Sequence, residues 1–325
     1  MFTVHEWFEN SPALMRDVYC ETLTDIALEN ENIVVLDADL VSSSGMKPFF
    51  SRFPERAIQC GIAEANMIGI AAGLSAMGKI PFAHSFGCFA TRRTCDQIMI
   101  SAAYAKQNVK IIGSDPGITA AYNGGTHMPF EDMGVLRSIP EITLIEPADS
   151  VMLADILRQI TALHGVHYVR MARKDNTAIY CEGSTFEIGR GNVLLTGNDV
   201  TIVSSGIMLI EALKAAAILR TESISARVID MFTWKPIDAG LIEGCARSTG
   251  AFVTAENHNI IGGLGSAVAE VLCATFPVPL EMVGVNDRFG QVGTEEFLRD
   301  EYHLTADEIV VAAKRAIERK QMSIG

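Results

Sequence analysis

The chain contains no C-x-x-C pair, and its seven cysteines, spread from Cys20 to Cys273, are an odd number. That pattern excludes a complete disulfide framework and a cysteine-paired zinc site, and it points to buried thiols in a reducing cytoplasm. Cations are also scarce. Twenty-six Lys and Arg stand against 39 Asp and Glu, for a formal charge of −13, and no block of basic residues offsets this. Such a polyanion attracts neither nucleic acid nor an acidic membrane surface. No apolar run approaches the roughly 20 residues that cross a bilayer. The first residues, Met1 to Glu6, carry no basic, apolar leader. An anionic ligand would therefore have to be held locally, by a few placed arginines.

What is present is apolar. Hydrophobic residues make up 49% of 325, and charged residues only 20%. The length predicts two domains, and the composition suits buried parallel sheets with an extensive subunit interface. Short apolar runs at 32–36, 109–113, 142–146 and 167–171 read as strands. Amphipathic stretches at 64–77, 96–106 and 151–162 read as helices. In the first of these, Met67, Ile68, Ala71 and Leu74 fall at helical spacing. After turn chemistry at 174–176 and 181–184, a second alternation begins. Its strands are predicted at 200–203, 226–229, 251–255 and 280–283, and its helices at 210–219, 265–274 and 306–319. The expected fold is α/β: two domains, 1–180 and 190–325, each with a mainly parallel sheet flanked by helices. The Gly-, Asn- and Thr-containing loop 115–129 is long for such a fold, and long loops at strand ends carry function.

Three segments could carry chemistry. In Gln59–Met67, Glu64 opens a helix among small apolar residues; it is either a helix-dipole carboxylate or a shielded acid. In Pro81–Arg92, Phe86 and Phe89 lie three apart beside small residues; they either fill the core or clamp a flat ring. In Asn123-Gly124-Gly125-Thr126-His127, the imidazole sits in good turn chemistry and is either a loop residue or a ligand to substrate.

Taken in order, GIAEANM, PFAHSFGCF, NGGTHMPFED and a strand ending Met171-Ala172-Arg173 resemble the pyrimidine-binding domain of transketolases. Glu256-Asn257-His258 with Gly262-Gly263-Leu264-Gly265, and Asp287–Thr294, resemble the C-terminal domain of the same family. The resemblance runs from about Ser11 to the end. Full transketolases also hold the diphosphate and a divalent metal through a Gly-Asp-Gly segment followed by an Asn, and no Gly-Asp-Gly occurs here. The resemblance thus implies one half of a split transketolase, active only with a separate subunit that carries the diphosphate domain, with two copies of each chain.

The resemblance also implies a site. Glu64 would meet a ring nitrogen of thiamine diphosphate, and His127 the reacting end of the substrate. Phe86, Phe89, Arg92 and Asp39 would lie against the cofactor, with Arg92 standing where the family often has Tyr. Arg16, Ser43 and Arg173 would clamp a terminal phosphate or sulfonate, and Asn123 would read a sugar hydroxyl where common transketolases use Asp. Ser114 departs from a family His. No metal ligand is expected in this chain; Mg2+ or Ca2+ would be bound mainly by the partner. The implied reaction moves a two-carbon ketol unit from a ketose, phosphorylated by expectation, to an aldose. Alternatives are a 2-oxoacid dehydrogenase β subunit, a 1-deoxyxylulose-5-phosphate synthase-like enzyme, and a non-catalytic scaffold. In the C-terminal signature Glu256 and His258 are read as structural, with the glycines packing a tight turn at a helix start.

Overall fold

The computed structural model describes residues 1–11, 13–174 and 177–324; Asp175 and Asn176, part of the expected turn before the linker, lie outside them. Among the described residues fourteen strands, β1 to β14, form three sheets. The largest has seven strands in the order β12-β6-β7-β5-β4-β2-β3. Its members are β2 (Ile33–Asp37), β3 (Ala57–Gln59), β4 (Ile80–Phe86), β5 (Lys110–Ser114), β6 (Ile142–Ile145), β7 (Val166–Met171) and β12 (Thr233–Lys235). The first six run parallel and only β12, at the edge, is antiparallel. The second sheet has the order β14-β13-β10-β11-β9. It joins β9 (Asn192–Leu195), β10 (Val200–Ser204), β11 (Ala226–Asp230), β13 (Phe252–Asn259) and β14 (Leu280–Val285), parallel except for β9. A two-stranded ribbon pairs β1 (Val4–Asn10) with β8 (Thr177–Tyr180).

The strands are legible because they are unbroken apolar runs. Every residue of β2, β5 and β7 is buried, as expected for parallel strands covered on both faces by helices. The Glu64–Ala76 helix turns Met67, Ile68 and Ala71 into the core. The segment expected as a helix over 96–106 is helical but wider in pitch: Cys95–Gln97 leads into a π-helical stretch, Ile98–Tyr104. It leaves Met99, Ile100 and Tyr104 exposed. Among the described residues no helix is long and apolar enough to cross a membrane.

The two halves are welded by a buried polar network. Arg170, on β7 and wholly buried, donates to Asp132 Oδ2 at 2.8 Å and to Glu146 Oε1 at 2.5 Å. It also donates to the carbonyls of Pro129 at 3.2 Å and Asn257 at 2.9 Å. From the second half, Ser205 donates to Glu146 Oε2 at 2.5 Å and Trp234 Nε1 to Ser205 at 2.9 Å. β12, which belongs in sequence to the second half, extends the first sheet beside the same network.

The parallel register sets the site. Asp37 stands level with Gln59 and His84, and Phe86 with Ser114 and Met171. The loops that follow these strands leave from one edge of the sheet, where open α/β folds place ligands.

Candidate functional site

Glu64 begins its helix just after β3 and a Gly61 turn with φ +68°. Its side chain is only 2% exposed. Ser85, buried on the adjacent β4, donates its hydroxyl to Glu64 Oε1 at 3.0 Å. Arg93 donates to Glu64 Oε2 at 2.6 Å, and its guanidinium lies 4.0 Å above the ring centre of Phe89. A carboxylate at a helix N-terminus is favoured by the helix dipole. Here it is also gripped from two sides.

Phe86 and Phe89 are half-buried, with ring centres 6.3 Å apart and planes tilted by 50°. His127 meets both edge-on, at 5.8 Å from Phe86 and 5.1 Å from Phe89. One ring nitrogen of His127 is 2.9 Å from the hydroxyl of Thr126. The three rings therefore form one open cluster beside Glu64, bridged to it by Arg93.

Beyond Phe86 lies a cationic end. Arg173, 12% exposed after β7, stands 5.5 Å from the Phe86 ring centre and pairs with Asp115 at 2.9 Å. Its carbonyl accepts the backbone N–H of Arg16 at 3.2 Å. Arg16 Nε is shielded from solvent, makes no hydrogen bond among the described residues, and lies 3.6 Å from Asp17. Gly45, with φ +76°, packs on Arg16, where a Cβ would meet Arg16 Cγ at 3.3 Å. That contact brings the turn carrying half-buried Ser43 against the same arginine.

Behind Arg173 runs a buried relay. Ser114 donates to Asp115 Oδ2 at 3.2 Å, and His84 Nε2 lies 3.2 Å from the Ser114 hydroxyl. Burial, with the charge of Arg173 second, pushes His84 down to about 3, so its imidazole is neutral. Burial raises the Asp115 carboxyl, and Arg173 opposes the rise. Asp37, under the turn that carries Ser43, is pushed up to about 6 by burial, against hydrogen bonds from the Leu40 N–H and Ser44.

The loop from 115 to 129 is held in unusual backbone. Asp115 (φ +57°), Gly117 (φ +49°), Ala121 (φ +45°, ψ −115°) and Gly124 (φ +76°) all lie at positive φ. For a residue with a Cβ this costs on the order of 1–3 kcal/mol and persists only where the surroundings enforce it. The second half supplies the enforcement. Asn257 Oδ1 accepts from Ile118 N–H at 3.0 Å, and its Nδ2 donates to Pro116 O at 2.9 Å. A Cβ on Gly117 would sit 2.1 Å from Asn257 Oδ1, and one on Gly125 would sit 2.2 Å from the Gly290 carbonyl. Both C-terminal signature segments thus brace the loop that bears His127. The structural reading of Glu256 and His258 agrees with the contacts. Glu256 accepts the N–H groups of Leu264 and Gly265 at 2.7 and 2.8 Å. His258 Nε2 accepts from Gly134 N–H at 3.2 Å, while burial holds the imidazole neutral, down to about 4.

The structure thus brings together Glu64, Phe86, Phe89, His127 and Arg173, with Arg16 tied to the last. Asp39, in left-handed backbone (φ +65°) with its N–H donated to Gln59 at 2.7 Å, is exposed, as is Asn123. Arg92, expected against the cofactor, pairs with Glu131 at 2.6 Å, and its neighbour Arg93 reaches Glu64 and Phe89. Arg93, Ser85, His84, Asp115 and Asn257 were missed by sequence reasoning. The spacing of Phe89 and Arg93, four apart, was the one available signal for the first of these.

The donor set fits the pyrimidine end of thiamine diphosphate, the cofactor of transketolases. A shielded carboxylate stands beside half-open aromatic faces. Among the described residues no group of three or more His, Cys, Asp or Glu could hold a metal ion.

Comparison with known proteins matches two domain profiles to the chain. The profile of the transketolase pyrimidine-binding domain matches residues 11–177, and that of the transketolase C-terminal domain matches 189–309. The chain is 51% identical to the 6-deoxy-6-sulfo-D-fructose transketolase subunit of Clostridium sp. (strain MSTE9), over 94% of this chain and 95% of that one. It is 33% identical to transketolase of Rattus norvegicus, over 94% of this chain but 49% of the relative. Among solved structures it resembles a split-gene transketolase described as an inactive beta4 tetramer. That match has 44% identity and a TM-score of 0.88, and covers 94% of this chain and 99% of that one.

Proposed function

Since the chain belongs to the transketolase family, we propose that it is the pyrimidine-binding subunit of a split transketolase, moving a two-carbon ketol unit from an anionic ketose to an aldose. The observation that carries this is the 2%-exposed carboxylate of Glu64 set beside the Phe86–Phe89–His127 cluster. When bound, thiamine diphosphate supplies the nucleophilic carbon that takes up and hands on the two-carbon unit. The rest is the work of this chain. Phe86 and Phe89 hold a flat ring by its face. Glu64, oriented by Ser85, holds a proton at a carboxyl oxygen against a ring nitrogen. His127 donates to an oxygen near the reacting carbon, and Asn123 reads a hydroxyl further along.

Arg16, Ser43 and Arg173 form the far clamp. Two guanidiniums and a hydroxyl match a phosphate or sulfonate equally well by charge-assisted hydrogen bonds. The 51% identical relative is named for a sulfonated sugar, which supports admitting a sulfonate beside a phosphate. Removing this clamp acts mainly on binding. Arg173→Ala is expected to raise the apparent KM for the anionic ketose about 10- to 100-fold, the scale of one charged hydrogen-bonding group. kcat should change several-fold at most. A loss confined to kcat in steady-state assays contradicts the clamp.

The diphosphate and the divalent metal fall to a partner chain, in an assembly with two copies of each subunit. Rat transketolase spans about twice the length matched here, while the 51% identical relative is itself named a subunit and is matched over 95% of its length, which supports a second polypeptide. Exposed Ile62, and Met99, Ile100 and Tyr104 on the stretch packed against the Glu64–Ala76 helix, supply apolar surface for association. The test is reconstitution. This chain alone should show no ketol transfer, and mixing with a chain bearing the Gly-Asp-Gly diphosphate domain should restore it with thiamine diphosphate and Mg2+. Full activity of this chain by itself, or pyruvate decarboxylation in place of ketose cleavage by the mixture, would overturn the reading.

A further inference from the structure

Both oxygens of Glu64 are already occupied, by two very different groups. Ser85 is a buried neutral hydroxyl that fixes the orientation of the carboxylate. Arg93 is a cation with its side chain 43% exposed, reaching across the Phe89 ring to Oε2. Arginine stays protonated across all working pH values. A carboxylate held this way has its second oxygen covered by a cation. A heterocyclic nitrogen cannot take that oxygen while the guanidinium is on it, nor can the carboxyl then hold a proton there.

We infer that Arg93 is a displaceable counter-ion of Glu64, closing the carboxylate in the free subunit and swinging off Oε2 to admit an aminopyrimidine ring. The inference rests on the reading of Glu64 given above. The geometry favours displacement over a fixed structural pair. Being half-exposed, the guanidinium has water to replace its carboxylate, while the incoming ring nitrogen takes its place at the buried Glu64. Arg92 does not share this position: it turns to Glu131, at 2.6 Å. Arg170 shows the opposite case: it is fully buried, bonded to two carboxylates and two carbonyls, and has nowhere to go. Arg93 is therefore a positioning residue that sets when Glu64 is available.

The probe is the aminopyrimidine half of the cofactor, 4-amino-5-hydroxymethyl-2-methylpyrimidine, titrated into the full isolated chain and followed by ligand-observed NMR. Arg93→Gln should bind it roughly fivefold tighter than the unaltered chain, the most that a half-exposed ion pair would hold back. Arg93→Lys, which keeps the charge but loses the flat stacking surface, should fall between. Arg93→Gln combined with Glu64→Gln should lose the gain. The surface variant Arg247→Gln, whose partner is Glu243 on its own helix, should match the parent. Equal or weaker binding by Arg93→Gln, or no binding by any variant, overturns the inference. The two readings fail separately. If Glu64→Gln leaves the reconstituted enzyme at full turnover, the role of Glu64 falls. If that variant is dead but Arg93→Gln gains nothing, only the counter-ion role falls.

Discussion

Glu64→Gln is expected to lower turnover of the reconstituted enzyme by about 10²- to 10⁴-fold, the range of a positioned general acid–base group, with almost no change in stability. The substitution is nearly isosteric. The Gln carbonyl can still accept the Ser85 hydroxyl that Oε1 now accepts at 3.0 Å. What disappears is the ability to hold a proton at the second oxygen and give it back. The ion pair with Arg93 is also lost, but that guanidinium is half-exposed and keeps its place over Phe89. Because Gln leaves no charge buried and the freed guanidinium meets water, the loss should stay at about 1 kcal/mol. Separating turnover from stability is what makes the test sharp. A merely structural carboxylate would show its loss in the unfolding midpoint and leave kcat alone. Steady-state kinetics with saturating ketose, set beside thermal melts of the same preparations, measure both. Turnover within a few-fold of the parent would remove Glu64 from the chemistry.

Much of the fold could be read from the residues because parallel α/β architecture writes itself in apolar blocks. The runs at 32–36, 109–113 and 167–171 fall on β2, β5 and β7, with every boundary within one residue, since each strand is buried on both faces and needs no alternation. Elements whose sequence is less one-sided were not legible. The Met15–Glu29 helix carries Thr22 and Cys20 among its buried positions and shows no clean apolar stripe. β12 is three residues long and is defined only by pairing with β6, across some ninety residues of chain. The π-helical pitch of Ile98–Tyr104 has no signature in composition.

The site divides in the same way. Glu64, Phe86, Phe89 and His127 sit in short motifs, and the folded chain gathers them as those motifs suggest. The groups that orient them come from elsewhere and carry no local mark. Ser85 and His84 point from β4 toward different neighbours, one to Glu64 and one to Ser114. Arg93 rather than Arg92 reaches the carboxylate, because the short helical turns at Gly87–Thr91 and Arg92–Thr94 carry Phe89 and residue 93 to one side. The strain in the 115–129 loop was invisible for a related reason. Its enforcers, Asn257 and Gly290, are more than a hundred residues away.

That bracing makes the second large effect one of stability. Arg170→Met should destabilise the chain by about 3–5 kcal/mol, because removing one member of a buried ionic group strands the others. Asp132 and Glu146 would keep their burial but lose the cation between them. Tyr168, which donates to Asp132 Oδ2 at 2.8 Å, and Ser205, which donates to Glu146, cannot neutralise two carboxylates. The carbonyls of Pro129 and Asn257 would also lose a donor. Those two carbonyls flank the loop bearing His127 and the residue that pins it, so activity should fall with stability and not independently of it. The expected reading is a clear drop in the urea midpoint of Arg170→Met, against less than ~1 kcal/mol for a surface pair such as Arg247→Ala. Adding Asp132→Asn and Glu146→Gln should recover part of the loss, since the cost lies in the unpaired charges more than in the missing side chain. If the single variant unfolds at the parent's midpoint, the weld between the two halves lies in their apolar contacts, and the strained loop must be held by Asn257 and Gly290.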